Sequence, residues 1–289
     1  MPGIKKKFTE GEESKTLDVS GVEEVGEAEV KIEAKSFDKG SWIPKTEIGK
    51  KIKSGEIRDI DYILDNGIRI LEPEIVDILV PNLEKELLLV GQSKGKFGGG
   101  QKRVFKQTQK KTREGNKPNF ATVAVVGNRD GYVGAGRGKS KETVPAREKS
   151  TRNAKLNIIK IRRGCGSWQC GCKEPHSIPF EVEGKCGSVI IQLIPAPKGT
   201  GLCTEKETAK ILRIAGIKDV WSRTYGKTTS KMNVVIACVK ALKKLIDTKI
   251  SPEDILKLGI VEGSSAKSAS KQEFLENLAA KETEKESKK

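Results

Sequence analysis

Cys165, Cys170, Cys172 and His176 gather three thiols and the only histidine of the 289-residue chain within the stretch RRGCGSWQCGCKEPHSIPF, residues 162–180. Three thiolates and an imidazole are the Cys3His donor set of a closed tetrahedral zinc site. Cys170 and Cys172 are separated by Gly171 alone, and the sharp turn this requires is one that glycine permits. The spacing differs from a pair of C-x2-C knuckles, so a reduced, metal-free turn stands as the alternative. A zinc ion here would be structural. Four protein ligands leave no open coordination position, and Glu174 is the one acid inside the cluster. The zinc-deaminase pattern H-x-E fails because Ser177 and Ile178 follow His176. With the sole histidine engaged, no Ser-His-Asp set can be built, and a non-enzymatic protein is expected.

The other thiols, Cys186, Cys203 and Cys238, lie in apolar sequence and read as core residues. No stretch approaches the roughly 18–20 apolar residues of a membrane span, and the start MPGIKKKFTEGEESK lacks the apolar region of a signal peptide. The expectation is a cytoplasmic protein without a membrane partner, where cysteines stay reduced and a thiol cluster reads as metal ligation rather than as disulfides.

Charge is distributed unevenly. The chain has a net charge of +16, and residues 91–163 alone carry 20 basic against 4 acidic side chains. Residues 1–40 hold 7 lysines against 10 acids. A local positive field of this size suits a polyanionic partner. It is densest in KRVFKQTQKKTREGNKPNF, where Lys102, Arg103, Lys106, Lys110, Lys111, Arg113 and Lys117 face the single acid Glu114. Nothing in the run encodes a base sequence, so recognition is expected through phosphates and shape.

GYVGAGRGKS imitates a phosphate loop without being one. The P-loop requires glycine where Val133 stands, and the dinucleotide fingerprint fails at Lys139. A strand whose backbone is closely approached is the simpler reading. In its functional version the missing side chains admit a phosphate backbone, with Arg137, Lys139 and Lys141 adding charge.

The elements that would position these groups follow from the pattern. WIPKTEIGKKIKSGEI gives a helix from near Pro44 to Gly55, IRDIDYILDNGI a second ending near Gly67, and residues 72–90 a helical stretch broken at Pro81. RVFKQTQKKT, FATVAVVG and YVGAGRGKSKE form a three-stranded antiparallel meander, with REGNKPN and GNRDG as its turns. VPAREKSTRNAKLNIIKI is a helix with Ala146, Ser150, Ala154, Asn157, Ile158 and Ile161 inward and Arg147, Thr151, Arg152 and Lys155 outward. This α-β-β-β-α order is that of a double-stranded-RNA-binding-like domain. A β-α-β-α unit on its own small core follows: strand KCGSVIIQLIPAPKG, helix TEKETAKILRIAG with a Thr204/Glu207 capping box, strand KDVWSRTYGK and helix MNVVIACVKALKKLI. SPEDILKLGI adds a capped helix.

At this point WIPKTEIGK, EPEIVDILVPNL, RVFKQT, VVGNRDGYVGAGRGKSKE, AKLNIIKIRRGCGSWQCGC, PHSIPF, VEGKCGSV, LIPAPKGTG, AGIKDVW and YGKTT together resemble the universal small-subunit ribosomal protein five family, called protein two in eukaryotes. The resemblance runs from about residue 41 to 245, and the cysteine form of the RRG segment is of archaeal type. It implies an α+β protein of two domains, the second named after this family. It also implies binding to small-subunit ribosomal RNA near the mRNA entrance and the decoding region. Proteins four and eight would be neighbours, with protein three as a further one. The family's RNA-reaching loop maps onto Arg113 through Asn119.

The expected organisation is a flexible charged tail (1–40), a helical extension (41–79), the RNA-binding-like domain (80–163), a Cys/His linker (164–184), the C-terminal domain (185–262) and a charged tail (263–289). The candidate RNA contacts are Lys102, Arg103, Lys106, Lys110, Lys111, Arg113, Lys117, Asn119, Arg129, Arg137, Lys139, Lys141, Arg147, Arg162 and Arg163. The function expected is a structural constituent of the small subunit supporting assembly and translational accuracy. The alternative is a free-standing regulatory protein that binds double-stranded RNA.

Overall fold

The computed structural model describes residues 42–80, 82–93 and 102–265. The tail at 1–40, nearly all of the tail at 263–289, most of GQSKGKFGGGQK and the break at Pro81 lie outside the described residues. Three short helices open the structure: α1 (Glu47–Ser54), α2 (Ile60–Asp65) and α3 (Glu74–Leu79). The Thr46 hydroxyl caps α1 by accepting from the Gly49 N–H, and Gly55 ends it at φ 85°, a conformation glycine adopts without strain.

The first sheet follows. Its strands are β1 (Glu84–Leu87), β2 (Lys106–Thr112), β3 (Gly115–Gly127), β4 (Tyr132–Ser140) and, after helix α4 (Thr143–Leu156), β5 (Ile158–Lys160). The order is β1-β3-β4-β5, with β2 also paired to β3. The expected meander is therefore the centre of a five-stranded sheet. Residues 84–87 form a strand where a helix was expected, because Leu88 is buried against the sheet and its N–H donates to Val123. Glu84 and Glu86 then fall on ion pairs with Arg129 and Lys210.

The inner face expected for α4 is present: Ala146, Ser150 and Ala154 are fully buried. The helix nevertheless stops at Leu156. Ile158 and Ile159 are β-branched and extend as β5 along β4, pairing with Gly134 and Val133. Lys155, expected on the outer face, is buried in an ion pair with Asp77. The glycines of β4 explain themselves here. A Cβ at Gly134 or Gly136 would collide with the backbone of Ala154, and one at Gly138 with that of Ala146. The helix lies directly on the strand, so the space a phosphate would need on that face is filled.

Helices α2 and α3 dock on this sheet through polar ties. The Tyr132 hydroxyl donates to Asp61 at 2.6 Å, and Lys160 pairs with Asp65 as Lys155 does with Asp77. Trp42, Ile63, Ile75 and Val76 pack with Tyr132 and Ile158 in the cluster beneath.

Next come β6 (Arg162–Arg163), β7 (Val182–Cys186), β8 (Val189–Pro195), β9 (Leu202–Cys203), α5 (Lys206–Ala215), β10 (Val220–Tyr225), α6 (Lys231–Asp247), α7 (Pro252–Leu258) and β11 (Val261–Glu262). The second sheet has the order β7-β8-β10-β9, and β6 pairs with β11. The single strand expected at 185–199 is instead the second arm of a hairpin turning at Gly187 and Ser188. Glu207 does not close a capping box with Thr204; its buried carboxylate accepts the Leu89 N–H at 2.8 Å and ties the first sheet to α5. One apolar cluster joins Leu88, Val125, Val133 and Ile161 to Val189, Leu193, Leu212, Val235 and Leu242, so the two halves share a core rather than building one each.

Candidate nucleic-acid interface and thiol cluster

The β2–β3 hairpin dominates the basic surface. Thr112 pairs with Gly115, leaving Arg113 and Glu114 as a two-residue turn. The segment expected as a seven-residue loop is thus mostly strand, and the ribbon projects further than a loop would. From Lys106 to Pro118 only Thr112 is less than exposed, and such a ribbon has no apolar face to bury. Lys106, Lys110, Lys111, Arg113 and Lys117 are exposed along it, Lys117 in a surface pair with Glu114 at 2.6 Å. Lys102 and Arg103 are exposed at its foot.

That foot is braced by aromatic contacts. Phe105 and Phe120 meet edge to face with centroids 6.4 Å apart, and the Arg147 guanidinium lies 4.8 Å from the centre of the Phe105 ring. Arg147 is half-buried there, so it orients the ribbon as well as adding charge. Beside it, Asn119, Lys139, Ser140, Lys141, Glu142, Pro145 and Lys149 line an open depression of about 550 Å³. The structure brings Lys139, Lys141 and Asn119 together at this place and adds Lys149, which sequence reasoning missed. Its position one turn beyond Pro145 on α4 was the available signal. Arg137 is exposed on β4, and Arg129, at the turn before it, is exposed while pairing with Glu84.

Arg162 and Arg163, expected on the RNA side, are engaged inside the fold. Arg162 Nε donates to Glu262 at 2.6 Å and its Nη1 to the Leu245 and Thr248 carbonyls. Arg163 is buried; its Nη2 donates to Asp130 at 2.6 Å and to the Gly263 carbonyl at 2.9 Å. Both partners of Arg163 are distant in sequence, which a local reading of RR could not detect.

Burial pushes the Asp130 carboxyl up, but hydrogen bonds from Ser264, Ser265 and Arg163 outweigh this and hold it at about 2. Its folded-state value lies below the ordinary 3.8, so its stabilisation is present above about pH 4 and is lost as pH falls toward 2. Asp130→Asn is expected to be less stable than the parent at neutral pH and to flatten the acid limb between about pH 4 and 2 in a denaturation series followed by circular dichroism. Parallel acid limbs would count against the assignment.

The thiol cluster occupies the connection from β6 to β7. Its backbone is fixed first: Gly164 and Ser177 exchange two N–H···O bonds of 2.9 Å, and Cys165 donates its N–H to the Leu258 carbonyl. The three Sγ atoms and one imidazole nitrogen lie within 4.8 Å of one another. A tetrahedral zinc–thiolate site has sulfur atoms about 3.8 Å apart, so these four donor atoms are close enough to one another to share a metal ion. Cys170 Sγ is 3.8 Å from His176 Nε2, and His176 Nδ1 donates to Asp219 Oδ2 at 2.9 Å. That carboxylate behind the imidazole is the usual second partner of a ligating histidine. Backbone N–H groups of Lys198 and Cys172 draw the Cys170 thiol down to about 6, whereas burial pushes Cys165 up to about 11. The donor set and its support fit a structural metal. Of the remaining thiols, Cys238 is buried as expected, while Cys186 is half-buried and Cys203 exposed.

Known proteins resemble this chain closely. The family model for ribosomal protein S5, N-terminal domain, matches residues 102–162, and that for ribosomal protein S5, C-terminal domain, matches residues 184–255. The small ribosomal subunit protein uS5 of Nanoarchaeum equitans is 52% identical over 223 residues, covering 77% of this chain and 96% of that protein. The uS5 of Methanocaldococcus jannaschii is 48% identical over 78% of this chain and 98% of its own length. For the uS5 of Pyrobaculum aerophilum the identity is 48%, over 74% of this chain and 91% of that protein.

Proposed function

We infer that this chain, which belongs to the ribosomal protein S5 family in its archaeal form, is a structural constituent of the small ribosomal subunit that binds ribosomal RNA. The observation that carries the RNA-binding part is the projecting hairpin, whose exposed cations have no counterpart of equal charge on its own surface. Phosphate contacts along a ribbon give affinity without sequence preference, as anchoring to a folded RNA requires.

In this reading Lys106, Lys110, Lys111, Arg113 and Lys117 reach phosphates, and Lys102, Arg103, Arg137, Lys139, Lys141 and Lys149 extend the contact around the hairpin foot. Arg147 and Asn119 hold the foot in place. Arg129 contributes at the margin, and Arg162 and Arg163 act within the fold. The site lies near the mRNA entrance, with proteins four, eight and three as neighbours, and the ribbon supports assembly and decoding accuracy. Cys165, Cys170, Cys172 and His176 hold zinc, which supplies a rigid closure of the connection between the two halves and no turnover.

The reading predicts that the tagged full chain co-sediments with small subunits through a wash at about 0.5 M salt, where non-specific phosphate binding is largely lost. Recovery in the free-protein fractions alone would refute it.

A further inference from the structure

Asp219 stands just before β10, 43 residues from His176, and it is buried at 4% exposure. Its two carboxylate oxygens have separate duties. Oδ2 accepts from His176 Nδ1, and Oδ1 accepts the Gly199 and Gly201 N–H groups at 3.1 and 2.8 Å. The backbone on both sides is tied as well: the Lys218 and Asp219 N–H groups donate to the His176 carbonyl. The Ser177 hydroxyl donates to the Asp219 carbonyl at 2.5 Å and accepts the Ala196 N–H at 3.3 Å. Lys198, the second residue of the turn from Pro197 to Gly201, is exposed and pairs with Glu174 from the cluster loop at 2.7 Å.

We propose that Asp219 is the positioning residue of the metal centre, joining His176 to the Pro197–Gly201 turn so that metal occupancy and order in that turn rise and fall together. This rests on the Cys3His reading given above. With Nδ1–H held by the carboxylate, the imidazole carries its lone pair on Nε2, the nitrogen that faces Cys170. A bound cation strengthens that N–H as a donor and draws the carboxylate toward it. The same carboxylate fixes two turn amides, so the effect passes into the second half of the fold without a new contact.

Asparagine at position 219 is close in shape but wrong in chemistry. All the groups facing the carboxylate are N–H donors, and an amide offers one oxygen to them and sets its own NH2 against the remainder.

The test uses the purified full chain loaded with Co2+ or Zn2+ and titrated against a chromophoric chelator, with amide exchange followed in parallel. Asp219→Asn should lose about 10- to 100-fold in metal affinity. Its cobalt form should keep the thiolate charge-transfer and tetrahedral bands, because the four ligands remain. In the parent, metal loading should slow exchange at the Gly199 and Gly201 amides, and in the variant this slowing should disappear. Unchanged affinity in the variant overturns the proposal while leaving the metal reading intact. If the variant does not fold, exchange in the parent decides: equal rates at Gly199 and Gly201 with and without metal overturn it. A parent that binds neither cation overturns the Cys3His reading and this proposal with it.

Discussion

Replacing Lys110, Lys111 and Arg113 together by glutamine is expected to weaken binding to small-subunit ribosomal RNA by about 100-fold near 0.15 M salt. The slope of log K against log salt should become shallower by about 3. Each phosphate contact releases close to one counterion, which at that salt is worth roughly 0.7 log units per contact relative to about 1 M. Three exposed cations at the tip of the ribbon therefore account for about two decades. The fold should be unaffected, because these side chains bury nothing, the backbone pairing of Lys110 with Lys117 and of Lys111 with Asn116 is independent of side-chain charge, and Arg113 lies in the turn. The comparison is a filter-binding series across salt for parent and variant. A lower affinity with the parent's slope would mean that the ribbon acts other than through phosphates.

The second large effect is on stability. Chelating the metal, or substituting Cys170→Ser, is expected to remove about 4 kcal/mol of unfolding free energy when free zinc stands a thousandfold above its dissociation constant. The cost should fall on the segment from Gly164 to Phe180 and on its closure with Leu258 and Asp219. The shared apolar core should keep the rest folded, and the salt slope for RNA should stay as in the parent. Metal analysis precedes the denaturation curve. Purified, unchelated protein holding less than about half an equivalent of zinc would sink the account of the cluster.

These residues also show where reading the sequence works and where it stops. Local rules found what is local: the inward Ala146, Ser150 and Ala154 at helical spacing, the glycine stop of α1, and a cluster of four potential metal donors in one short stretch. They failed where the partner is remote. Residues 84–87 read as helix because a leucine-rich run suits either structure, and only β3 supplies the edge that makes it a strand. Glu207 has the capping-box spacing from Thr204, yet its buried carboxylate serves Leu89, 118 residues away. Arg162 and Arg163 looked like surface cations until Glu262 and Asp130 supplied their counter-charges. Asp219 was invisible as a member of the cluster for the same reason. The glycines of β4 carried a real signal of close approach, and the approaching backbone proved to be that of α4.

The most direct test of the central claim is a cryo-EM map of small subunits carrying this chain, read at residues 106–119. The account predicts ribosomal RNA phosphates within contact of Lys110, Lys111, Arg113 and Lys117 along both strands of the ribbon. A ribbon extending into solvent, or seated against a protein surface with no phosphate beside those four side chains, would contradict it.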